Sequence, residues 1–288
     1  MKKHLKSLIF VVILTIIFGY AIDKLLIRLI TSDLIPLGWW RINLYGLYGL
    51  IIVAPIVWLF LRFQKKEKIS LGWKKFSWSE FRLVIYAIAL IYPVFFIGRL
   101  LVPDFDFWFA RLQGIGGWST LGFFTLSTLF FVFKEEIIIR YIQARLERAY
   151  GILMSVLFIS ILFSIFHYSS SYGEYNWSIV VSVFFVSLVI ALVYAKTKNI
   201  WLTIILHSLI NGISALQIYL HSAGLIWAER VFWSVYGLAF AVLSVASYKC
   251  FRDILLNKGK PTIPKQAVFS WILFIIICVV IPIVLILL

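Results

Sequence analysis

Apolar runs of roughly 20 residues recur along the whole chain and are separated by short, lysine-rich connections. The runs fall at 7–22, 42–62, 82–102, 119–141, 152–169, 177–196, 200–220, 227–249 and 267–288. Each is long enough, or nearly so, to cross about 30 Å of hydrocarbon as a helix. No two-residue alternation points to a β-barrel, and a helix satisfies its own backbone in lipid. The pattern predicts an all-α fold, a polytopic transmembrane helix bundle of about eight or nine spans. Residues 1–288 read as a single integral membrane domain without internal repeats, low-complexity tracts or an extramembrane module. The first run follows Met1-Lys2-Lys3-His4, and Gly19-Tyr20-Ala21 offers a weak leader-cleavage site. With so much apolar chain behind it, a retained first span is the expectation.

Composition agrees: 63% of the residues are hydrophobic, 18% aromatic and 14% charged. The net charge of +15 could suggest a nucleic-acid partner. Its distribution excludes one, because the cations flank apolar runs and form no basic stripe on a soluble module. Lys2, Lys3 and Lys6, the stretch from Arg62 to Arg82, Arg140 to Arg148, Lys196 with Lys198, and Lys249 to Lys265 all fall on one set of connections. The alternate set holds only Lys24, Arg28, Arg41, Arg99, Arg111 and Arg230. The positive-inside rule makes the first set cytoplasmic. A multi-pass protein of the cell membrane with a cytoplasmic N-terminus follows, and membrane lipids are its first partners. The loop "RFQKKEKISLGWKKFSWSEFR" reads as a solvated basic connection, lying at most on lipid headgroups. Cys250 and Cys278 are far apart and imply neither a disulfide framework nor a zinc cluster.

One run breaks the pattern. "FFVFKEEIIIR" places Lys134, Glu135, Glu136 and Arg140 within seven residues of a predicted span. Each charge near the centre of a spanning helix costs about 2.5–3.5 kcal/mol, so such groups ordinarily face one another or a wetted cavity. Two further spans carry polar groups, Phe163-Ser-Ile-Phe-His167 and His207-Ser-Leu-Ile-Asn211. Glu135 precedes Gly151 by sixteen residues and His167 follows it by sixteen, so an antiparallel hairpin puts them at one height. With a boundary near Tyr141, Glu135 lies about 10 Å deep, and His207, seven residues past Ile200, lies about as deep.

Angles separate the two glutamates. Glu136 and Arg140 are i, i+4 and can pair, whereas Glu135 stands about 100° from Glu136 and faces something else. His207 and Asn211 share one helix face, as do Phe163 and His167. Lys134 fits no partner and is expected to snorkel toward the cytoplasm. A carboxylate and an imidazole around one water can perform acid–base hydrolysis. A second histidine with an amide can supply donors to a developing oxyanion. Glu135, His167 and His207 could instead hold a zinc ion that activates the water. Taken singly, each group has a plainer use: a helix-stabilising Glu136–Arg140 pair, an interfacial His167, a helix-tying His207 and Asn211.

The ordered set EExxxR, FxxxH and HxxxN resembles the CPBP family, the CAAX-protease and bacteriocin-processing (Abi) group of intramembrane endopeptidases. The resemblance centres on residues 119–220, which it marks as a catalytic core. It implies a peptidase in which Glu135 and His167 activate water, His207 and Asn211 form the oxyanion site, and Glu136, Arg140 and Phe163 support them. It also implies a hydrophobic or membrane-associated peptide or protein substrate cut near the cytoplasmic face, with no cofactor required and a divalent metal such as zinc left open. Some members of the group confer bacteriocin immunity or bind sensor kinases. A non-catalytic partner of another membrane protein is therefore the alternative.

Overall fold

The computed structural model describes residues 54–101, 118–167 and 176–255, and among these every regular element is an α-helix. They are α1 (Ala54–Glu67), α2 (Trp78–Leu101), α3 (Trp118–Tyr150), α4 (Ile152–Phe166), α5 (Asn176–Thr197), α6 (Ile200–Ser222) and α7 (Ile226–Leu255). Four contain stretches long and apolar enough to cross a membrane: Trp78–Phe96, Trp177–Thr197, Ile200–His221 and Ile226–Arg252. Eight or nine spans are thus not reached among the described residues. The runs at 7–22 and 267–288, with the candidate cleavage site, lie outside them, as does most of 42–62.

Two helices differ from their expected bounds for local reasons. α3 runs past residue 141 to Tyr150, because "YIQARLERAY" contains no glycine or proline and is rich in helix formers. At 33 residues α3 is about 50 Å long, so its charged end extends well beyond a hydrocarbon layer of about 30 Å. It stops at Gly151, whose φ of 84° a side chain would resist. α4 was expected to reach residue 169 but ends after 15 residues. There the His167 amide bonds Ser164 O at 3.0 Å, a tightened last turn.

α5 and α6 form the centre of the bundle. About half of each spanning stretch is buried, 44% and 50%, against 11% for α7, whose Val231, Val235, Leu238 and Val242 point outward. Residues 189–195 of α5 are buried all round, as a central helix requires. Ile137, Ile138, Ile139 and Ile142 of α3 pack into the same core as Leu202, Ile204, Leu206 and Ile210 of α6.

The α1–α2 connection is not the free loop its composition suggests. Arg148 Nη2 holds Lys68 O at 2.7 Å, and Arg145 pairs with Glu67 at 2.7 Å. Asn199 caps α6 by accepting from Trp201 N at 3.1 Å while its Nδ2 donates to Lys74 O at 3.2 Å. Gly72, at φ 74°, lies so close to the α5–α6 turn that a Cβ would sit 1.7 Å from Lys198 O. Backbone meets backbone there, so neither side can yield. Gly72→Ala is expected to cost at least about 2 kcal/mol, read as a melting temperature lower by roughly 4–8 °C in detergent. An unchanged melting temperature would mean that the connection is not docked.

Candidate active site

The site begins with a buried charge on α3. Glu136 and Arg140 are each 1% exposed, and Arg140 Nε approaches Glu136 Oε2 at 3.0 Å. An ion pair taken out of water persists only when its remaining polar atoms find partners. Arg140 also donates to Gln143 Oε1 and lies 5.7 Å over the Tyr194 ring of α5. Gln143 Nε2 in turn donates to Ala191 O at 2.9 Å. The i, i+4 pair is therefore anchored to the central helix.

The second oxygen of Glu136 reaches α6. His207 Nδ1 lies 2.9 Å from Glu136 Oε1. A carboxylate paired with arginine can only accept, so Nδ1 carries the proton. Nε2 is then the nitrogen turned toward Glu135, whose Oε2 lies 3.8 Å away. That gap is too long for a direct hydrogen bond and short enough for one water or substrate oxygen to touch both groups. Glu135 is 27% exposed against 1% for Glu136. Two adjacent carboxylates thus occupy opposite environments, one locked and one accessible.

α4 contributes the third side. His167 terminates that helix, and its Nδ1 donates to Phe163 O at 2.8 Å, which leaves Nε2 as an acceptor. The Phe163 ring stands 4.6 Å from His167 and 5.7 Å, edge to face, from His207. It touches both imidazoles and gives each an apolar neighbour. Asn211 is half-buried one turn beyond His207 on α6 and is not hydrogen-bonded to these side chains.

Sequence reasoning missed two features. The i, i+4 spacing gives Glu136 to Arg140 alone, yet Glu136 also orients His207 from 71 residues away in sequence. Gln143 and Tyr194, which complete the Arg140 environment, carried no signal beyond being polar or aromatic in apolar runs. Lys134 needs a correction. It does not snorkel: it is 2% exposed, with its ammonium 5.5 Å over the Phe131 ring one turn back. Side chains lean toward a helix's N-terminus, and here that direction leads to an aromatic face. Among the described residues no three His, Cys, Asp or Glu side chains converge as a metal-holding group. The Glu135, His167 and His207 set is therefore not arranged as ligands.

No curated protein and no solved structure matches the chain. A family model does, over residues 117–213: type II CAAX prenyl endopeptidase Rce1-like. That stretch is about a third of the 288 residues and holds every site residue described above. Over that stretch the chain is similar to the type II CAAX prenyl endopeptidase Rce1-like family.

Proposed function

We propose that this membrane protein is an intramembrane endopeptidase in which Glu135 and His167 activate a water molecule against a peptide carbonyl. The observation that carries the reading is the division between the two glutamates. Glu136 is consumed by Arg140 and His207, whereas Glu135 is accessible and stands 3.8 Å from the other face of that same imidazole. Glu135 takes a proton from water as the oxygen adds to the carbonyl carbon. His167, with Nε2 as an acceptor, holds and orients that water. The oxyanion that forms is stabilised by His207 and Asn211. His207 serves there with both nitrogens protonated, Nδ1–H on Glu136 and Nε2–H on the oxyanion. The C–N bond then breaks as the proton held by Glu135 passes to the leaving amine.

The substrate that suits this site is a hydrophobic or membrane-associated peptide, because its polar groups stand among apolar core side chains such as Phe163, Leu206 and Ile210. The basic end of the bundle, where Arg145, Arg148, Lys196 and Lys198 gather, faces the cytoplasm by the positive-inside rule. With 119–220 as its core, the site would cut its substrate near that side.

The test is processing of membrane-associated peptides by full-length protein in proteoliposomes, wild type beside Glu135→Ala and His167→Ala. Cleavage by wild type alone is expected. A cellular phenotype and stable partner binding that both survive Glu135→Ala would favour the non-catalytic, immunity or sensor-kinase reading. Treatment with 1,10-phenanthroline is expected to leave the rate within about twofold, since no metal carries the step. A loss restored by added zinc would contradict this.

A further inference from the structure

The connection between α1 and α2 is basic, docked on the bundle and far from neutralised. From Arg62 to Arg82 it carries seven cations against two acids, Glu67 and Glu80. Both acids are engaged, Glu67 by Arg145 at 2.7 Å and Glu80 by Lys74 at 3.2 Å. Among the described residues no ion pair neutralises Lys65, Lys66 or Lys68. Two of these lysines line a cavity of about 410 Å³ with Leu61, Ile69, Ser70 and Trp73. It is a shallow depression open to its surroundings, suited to a headgroup lying on it more than to an enclosed ligand.

The lining is divided by chemistry. Lys65, Lys68 and Ser70 give it a cationic, hydrogen-bonding rim, and Leu61, Ile69 and Trp73 give it an apolar wall. The framework is fixed: Arg148 grips Lys68 O, Ser70 Oγ accepts from Gly72 N at 3.2 Å, and Trp73 packs on Trp201 at 5.2 Å between ring centroids. Around it Trp58, Phe76 and Trp78 stand exposed, as aromatic side chains do where a protein meets the headgroup layer.

We propose that this cavity is a binding site for an anionic phospholipid, its phosphate held by Lys65 and Lys68 and its first acyl carbons lying on Leu61, Ile69 and Trp73. The occupant follows from complementarity: an uncompensated double positive charge beside an apolar wall, a few residues before the apolar stretch that opens at Trp78, fits a negatively charged amphiphile. A soluble phosphate would leave the apolar wall uncovered, and an acidic peptide would not need it.

The experiment exchanges full-length protein into nanodiscs of equimolar phosphatidylglycerol and phosphatidylcholine, extracts it in mild detergent and measures the retained lipids by mass spectrometry. Wild type is expected to retain phosphatidylglycerol preferentially. Lys65→Gln/Lys68→Gln is expected to lose roughly tenfold or more of that preference, given the contribution of each lysine near an anionic surface. Lys66→Gln/Lys75→Gln removes the same charge from the same connection outside the cavity and is expected to stay within about twofold of wild type. In the unaltered protein the preference is expected to weaken between 0.05 and 0.5 M NaCl, roughly as screening strengthens. Equal losses in both double variants would overturn the site in favour of a diffuse field. Complete displacement by soluble glycerol phosphate would overturn the lipid assignment, and so would preferential capture of a poly-glutamate peptide.

Discussion

Glu136→Ala is expected to cost the protein both its fold and its chemistry. The residue is 1% exposed and holds Arg140 with one oxygen and His207 with the other. Its removal leaves the buried Arg140 guanidinium without a counter-charge beside Gln143 and the Tyr194 ring, and deprives His207 Nδ1 of its acceptor. Breaking a buried pair on one side costs about 3–5 kcal/mol, because the surviving charge stays buried and unpaired. In detergent this reads as a melting temperature lower by roughly 10 °C. Glu136→Gln keeps an acceptor for His207 but not the charge, so it is expected to lose less of the fold. Thermal unfolding of both variants checks the order. A Glu136→Ala protein as stable as wild type would mean that the α3 to α6 contact is absent.

The neighbouring carboxylate is expected to behave in the opposite way. Glu135 is 27% exposed, and its nearest charged partner, His207 Nε2, lies beyond hydrogen-bonding distance at 3.8 Å. Little holds it in the fold, so Glu135→Gln is expected to change stability by no more than about 0.5 kcal/mol. Cleavage is expected to fall roughly 10²–10⁴-fold, the usual contribution of a positioned general base. Two adjacent glutamates, one step apart on a helix, thus separate stability from rate.

That separation was half legible in the sequence. The i, i+4 spacing of Glu136 and Arg140 and the angle to Glu135 are properties of one helix, so counting residues finds them. The Glu136 to His207 contact joins α3 to α6, and no local periodicity encodes which oxygen meets which imidazole. Phe163 was visible only as one member of a spaced motif; its contact with both His167 and His207 joins α4 to α6 and depends on tertiary packing. The docked connection was hidden for the same reason. Gly72 and Lys198 meet backbone to backbone across 126 positions of sequence, and lysines in a row look alike whether the chain beneath them is free or pinned. The spans were read from length and apolarity. That served for α2, α5, α6 and α7; α3 covers its run and continues as helix through the charged segment to Tyr150, and α4 stops at Phe166, short of residue 169.

The most direct test is the initial rate of peptide cleavage by Glu135→Gln in proteoliposomes, measured beside wild type with equal amounts of folded protein. A rate at least about a hundredfold lower, at an unchanged melting temperature, is the expected result. Cleavage at the wild-type rate by a properly folded Glu135→Gln protein would contradict the assignment of Glu135 as the base that activates water.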